Sequence, residues 1–157
     1  MAHLDTYVGL VHHSERILAE GFRTVGQGHA AEVDVFHMCG TLARWSEEHV
    51  EALRPVVERY GERDSGDDVD EPDRLLADSL GSAREGSVGL LRDLQDLFML
   101  ASFVQTTWTA LLQGGQGARD HELIDLAARA SGETSRQLAW ITTRLKSAAP
   151  EALLMTP

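Results

Sequence analysis

Apolar residues recur along this chain with alternating steps of four and three, and they do so in four separate stretches. The first reads Leu4, Val8, Val11, Glu15, Leu18, Phe22, Val25, without a slip in spacing. Such a stripe is the buried seam of a helix in a bundle, and it predicts a helix over about residues 3–25. One member of the seam, Glu15, is charged. The second stripe, Val35, Cys39, Leu42, Ser46, His49, Leu53, Val56, predicts a helix over about 30–60, with Pro55 late in it. The third is broader: Leu90, Leu91, Leu94, Leu97, Phe98, Ala101, Val104, Trp108, Leu111 and Leu112 fill a wide arc over about 87–113, with Gln105 inside it. Met99, Phe103 and Ala110 project from the other side of the same helix. A helix that is apolar on two sides is central or meets another chain. The fourth stripe, Ile124, Ala127, Ser131, Thr134, Leu138, Ile141, Leu145, predicts a helix over about 120–147 with Asp120 as its N-cap.

The intervening segments set the connectivity. Gly26-Gln27-Gly28 and Gly114-Gly115-Gln116-Gly117 read as short connections, and Gly61 as a helix stop. Between them, residues 61–86 form one long crossover. It is acidic over 62–72 and is expected to hold a short helix over 73–80, with Leu75, Leu76 and Leu80 docking on the bundle. No strand-like alternation of any length is present. The expected fold class is all-α: a four-helix bundle with ferritin-like order, short, long and short connections, in one domain over 1–157.

Composition narrows the partners. The formal net charge of −11 over 157 residues disfavours nucleic acid and anionic lipid surfaces. The most apolar stretch, Leu97 to Leu112, is too short and too polar to span a bilayer, so no membrane is expected. The chain has one cysteine, Cys39, and an N-terminus without the basic and apolar runs of a signal peptide. Cytoplasmic localisation is the expectation. Cys39, inside a seam, reads as a small buried apolar residue. Trp45, Trp108 and Trp140 read as packing residues, His29 and His37 as solvated, and Asp93 and Asp96 as carboxylates near a helix N-terminus.

The candidate chemistry lies where polar residues interrupt the seams. Glu15, Ser46, His49 and Gln105 fall at similar depth and form an expected buried polar layer. In an antiparallel hairpin Glu15 meets His49, and His12 borders the same face one turn away. One carboxylate and two imidazoles, His12, Glu15 and His49, could make a mononuclear metal site. A hydrogen-bonded polar pair is the alternative. Ser46 and His49 also stand three apart, as a nucleophile and base would, but no oxyanion donors accompany them. No catalytic residue is assigned.

These residues resemble the ferritin-like superfamily. Its di-iron members place a Glu on each of two helices and Glu-x-x-His on the other two. Glu15 is similar to the first-helix carboxylate. Ser46-Glu47-Glu48-His49 is similar to a Glu-x-x-His whose glutamate has become serine, and Gln105 stands where a third-helix glutamate is expected. The fourth helix departs, since Glu133 to Arg136 replaces any carboxylate–histidine pair. The segments Thr41-Leu42-Ala43-Arg44-Trp45-Ser46 and Gly89-Leu90-Leu91-Arg92-Asp93-Leu94 resemble bacterial ferritin-like four-helix-bundle proteins that lack a complete di-iron motif. The resemblance implies the fold and carries no activity; Met99 and Phe103 on the back of the third helix, with the acidic 62–72 segment, point to a non-catalytic bundle acting through protein association, as a homodimer or with another protein, with Met99 and Phe103 as its face. A small-molecule binder with a cavity around Glu15 is a further reading. The other alternative is a metal-binding protein or metal-dependent oxidoreductase with a reduced site at Glu15 and His49, holding iron, manganese or zinc.

Overall fold

Four long helices carry the structure, a computed structural model that describes residues 3–61, 74 and 80–155. They are α1 (Leu4–Gly28), α2 (Val33–Tyr60), α3 (Gly86–Ala118) and α4 (His121–Pro150), and a π-helical turn follows over Glu151–Met155. No strand occurs among the described residues. The acidic segment 62–72 and the short helix expected over 73–80 lie outside them, apart from Arg74 and Leu80. Leu80 is fully buried.

Side-chain ties fix the directions. Along α1 and α2, Arg23 pairs with Glu47 and Gly26 lies against Cys39. Along α1 and α3, Glu15 meets Trp108 and His29, just beyond α1, meets Asp93. Along α2 and α4, Arg59 meets Asp120 and Arg144 meets Asp34. Gln105 meets Ser135 between α3 and α4. Each of these neighbours therefore runs antiparallel, and α2 and α3 run in the same direction. The α1/α2 and α3/α4 pairs pack most closely, α1/α3 less so, and α2/α4 is the sparsest seam.

The helices exceed their expected lengths at the glycines. Gly26-Gln27-Gly28 does not end α1. The helix runs through it because the missing side chains let other chain segments close in. A Cβ on Gly26 would stand 2.9 Å from Cys39 Cβ, and one on Gly28 would collide with Ala83 Cβ. Likewise α3 runs through Gly114-Gly115-Gln116-Gly117 to Ala118. Gly115 is buried against Leu123 and Ile124, and Arg119 makes the left-handed turn (φ 56°) that ends the helix. Gly61, at φ 80°, does cap α2. Gly28→Ala is expected to cost about 1–3 kcal/mol through overpacking, read as a lower urea midpoint with unchanged helix content. A midpoint equal to the parent's would remove the close-approach explanation.

Burial follows the predicted seams for α1 and α2: Val8, Val11, Glu15, Leu18, Phe22 and Val25, and all seven of the α2 set. The apolar α3 arc is also buried, except that Phe98 is 40% exposed and Leu112 is half-buried. In α4 the buried stripe is rotated from the expected one. It runs through Leu123, Ala127, Ala130, Thr134, Gln137 and Ile141, and Ser131 lies at its edge. The rotation turns Gln137 inward.

Asp120 ties the far end of the α2/α4 seam. Its carboxylate caps α4 by accepting from Leu123 N, and it also accepts from Arg59 and from the Tyr60 hydroxyl. The Arg59 guanidinium above all, helped by these other donors, holds the Asp120 pKa down at about 2.

Candidate polar site between the helices

The α1 and α2 seams carry Glu15 and His49 to the same depth because the two helices are antiparallel and the residues sit midway along each. The His49 ring lies 2.5 Å from Glu15 through Nδ1 and 3.2 Å from Glu133 on α4 through Nε2. The Trp108 indole of α3 donates to the same Glu15 oxygen, Oε2, at 2.9 Å. The ring planes of Trp108 and His49 stand nearly edge to face, 6.3 Å apart. One turn away, Gln137 of α4 donates through Nε2 to Leu42 O and Ser46 Oγ, both at 3.0 Å. All four helices therefore place a side chain in this layer. Glu15, Ser46 and Gln137 are fully buried and His49 is 1% exposed. Glu133 is the member nearest solvent, 25% exposed, with Arg129 3.9 Å away.

The electrostatics follow from the partners. An ionised carboxylate only accepts, and His49 faces one at each nitrogen. The ring with both protons is the form that satisfies both bonds. Burial by itself disfavours that charged ring. The hydrogen bonds and charges of Glu15, then Glu133, outweigh it and raise the His49 pKa above its ordinary 6.5. Two buried acceptors, Glu15 Oε1 and Gln137 Oε1, have no hydrogen-bond donor among the described residues.

A raised folded pKa means that the folded protein holds its proton more tightly than the unfolded chain. The stabilisation is complete below pH 6.5 and is lost as pH rises through the raised value. Urea midpoints measured between about pH 6.5 and pH 9 are expected to fall for the parent and to change less for His49→Gln. Parallel curves would exclude His49 as the source.

The other sequence candidates are placed as follows. Ser46 is in the layer, but its hydroxyl accepts from Gln137, and both His49 nitrogens face carboxylates, so the two do not form a nucleophile–base pair. Gln105 is not in the layer. It is half-buried on the α3/α4 flank and donates to Ser135 Oγ at 2.5 Å, because its position lies at the margin of the α3 arc. His12 is half-buried beside the seam. Among the described residues, no three His, Cys, Asp or Glu side chains are arranged to hold an ion. Cys39 is fully buried, and burial, with Asp34 nearby, pushes its thiol up to about 12. Met99 is 56% exposed and Phe103 half-buried on the outer side of α3.

Sequence reasoning missed three members of the layer. Trp108 was assigned to packing alone. Gln137 was hidden by the one-position error in the α4 stripe. Glu133 lies one turn before Gln137 and flanks Thr134, so the corrected stripe points to it.

It also missed a second polar cluster. His29 is buried, not solvated, and its Nε2 lies 2.8 Å from Asp93 Oδ2. Asp93 is fully buried and accepts further from Arg84 N and Arg84 Nη1, while Arg84 also reaches Asp96. These carboxylates join the end of α1 to the segment before α3, a stronger role than the helix-terminus effect expected of them.

Compared with known protein families, curated proteins and solved structures, the chain matches none. No helix among the described residues is long and apolar enough to cross a membrane.

Proposed function

We propose that this chain is a non-catalytic bundle of ferritin-like order that acts by protein association through the outer face of α3. The shared direction of α2 and α3, with connections at 29–32, 61–85 and 119–120, supports that order. One observation carries the association. Met99 and Phe98 are exposed, Phe103 is half-buried, and α3 has no charged side chain from Leu97 to Ala118. The exposed sides of the other long helices bear charges throughout, such as Glu20 and Arg23 on α1, Glu47 and Glu51 on α2, and Asp125 and Arg129 on α4. An uncharged, partly apolar face on an acidic protein is suited to burial against another protein surface. A single buried cysteine fits a cytoplasmic setting. The test is a photo-crosslinking residue placed at Met99, with Glu51 as control, in the producing cell. Covalent adducts specific to Met99 are expected; equal yields at both positions would sink the reading.

A second reading rests on Glu15 Oε1, a buried carboxylate oxygen with no donor among the described residues. A cation such as iron, manganese or zinc bound at Glu15 would satisfy it. It would compete with the His49 proton for the same carboxylate. Elemental analysis and calorimetric titration with each metal test this: uptake lost in Glu15→Gln supports it, and equal uptake by both proteins overturns it.

A further inference from the structure

The outer stripe of α3 changes in size along its length. At about 100° per residue, Met99, Phe103, Thr106, Ala110, Gly114 and Gly117 share one face. The first two are large, and the last three are small. Around Ala110 and Gly114 the surface opens into a groove of about 400 Å³, whose α1 wall includes Leu4 and Tyr7. The same helix thus carries a ridge at one end and a groove at the other.

From this we infer that the partner of the face is a second copy of this chain, with the two α3 helices antiparallel about a twofold axis between Thr106 and Thr107. The inference rests on the association reading above and names its partner. In an isologous interface each contact occurs twice, residue i on j and j on i. The stripe meets that condition in a single register: Phe103 falls opposite Ala110 of the other copy while Met99 falls opposite Gly114. Each large residue meets a small one, and both pairs imply the same axis. No other register pairs both.

Two further observations remove obstacles to burying this face against a second copy. Two chains of net charge −11 repel each other, and this face brings them together without adding a charged side chain to the contact between Leu97 and Ala118. Just beyond its ends lie Asp96, which is paired with Arg84, and Arg92 and Arg119. The hydroxyls that would need partners on burial already have them: Thr106 Oγ1 donates to Phe103 O and Thr109 Oγ1 to Gln105 O, both at 2.9 Å. At the axis the interface would meet a Thr106 whose polar atom is satisfied by its own helix.

Two measurements on purified full-length protein test the inference. The first is mass by light scattering, for the parent and for Met99→Lys, an exposed substitution whose fold is checked by circular dichroism. The parent is expected at twice the chain mass and Met99→Lys at the chain mass. The second is disulfide formation under mild oxidation at about pH 8. The native thiol is buried and stays unreactive, so an added cysteine reports alone. Thr106→Cys is expected to link two chains, because its two copies stand about 1.5 Å apart along the axis. Gln95→Cys, also exposed, places its copies about 35 Å apart and is expected not to link. A dimer that links through Gln95→Cys and not through Thr106→Cys overturns this arrangement and leaves the association reading standing. A parent at the chain mass overturns the second copy as partner. The association reading itself is then decided by the Met99 photo-adducts in cells.

Discussion

His49→Ala is expected to lower the stability of the protein by about 3–5 kcal/mol. The reason is what it leaves behind. Glu15 has no exposure, and removal of the ring takes away its opposing charge and leaves the Trp108 indole as its one donor among the described residues. Glu133 loses a partner too, but it is partly exposed and rehydrates at little cost. For a chain of this size the melting temperature would fall by about 10 °C or more. The companion variant Glu15→Leu/His49→Leu removes both charges and is expected to recover most of the loss, since replacing a buried ion pair with apolar groups is often nearly neutral. Urea unfolding of Glu15→Leu, His49→Leu and the double variant forms a thermodynamic cycle. A loss below about 1 kcal/mol for His49→Ala would mean that Glu15 is not held as an ionised partner.

The second large effect is expected at Asp93. Asp93→Ala strips three donors of their acceptor at once: the His29 ring, the Arg84 guanidinium and the Arg84 backbone amide. Arg84 is 28% exposed and keeps Asp96, so it is partly compensated. His29, 6% exposed, has no comparable outlet. A loss of about 2–4 kcal/mol follows from leaving buried donors unpaired. Asp93→Asn, which keeps an acceptor oxygen, is expected to lose less. A loss for Asp93→Asn equal to or larger than that for Asp93→Ala would show that a retained acceptor oxygen does not sustain these donors.

The two predictions differ in how readily the sequence disclosed their sites. Glu15 and His49 were legible because they interrupt otherwise apolar four-three seams, and an antiparallel hairpin brings their positions together. Asp93 and His29 were not. His29 is the next step of four after Val25 in the α1 stripe, but it stands beyond the glycines that read as the end of the helix, while Asp93 stands beside leucines that fully explain the α3 arc. What joins them is the segment before α3, folded against the end of α1, and long-range placement of that kind leaves no local pattern. The α4 stripe failed for another reason. Two adjacent small-residue choices, Ala130 and Ser131, fit the period almost equally well, and choosing Ser131 turned Gln137 and Glu133 away from the core. The glycine-rich ends misled in the opposite sense. Gly28 and Gly115 signal helix stops by composition, whereas they serve close packing, which depends on segments distant in the sequence. The four helices themselves were legible, since length and apolar period suffice for them.

The unequal packing of the helix pairs has a kinetic consequence. The two intimate pairs, α1 with α2 and α3 with α4, are each consecutive in the chain and close over residues 29–32 and 119–120. Closing such loops costs little chain entropy, so each hairpin can form early. Joining the hairpins instead requires ordering across residues 61–85, and it is secured by contacts between distant parts of the chain. Glu15 with Trp108, His29 with Asp93 and Gln137 with Ser46 all belong to that late set. The Glu15–His49 pair belongs to the first hairpin, but the part of the polar layer supplied by Trp108, Glu133 and Gln137 is assembled in the docking step. Substitutions in that part would chiefly accelerate unfolding and leave the refolding rate nearly unchanged.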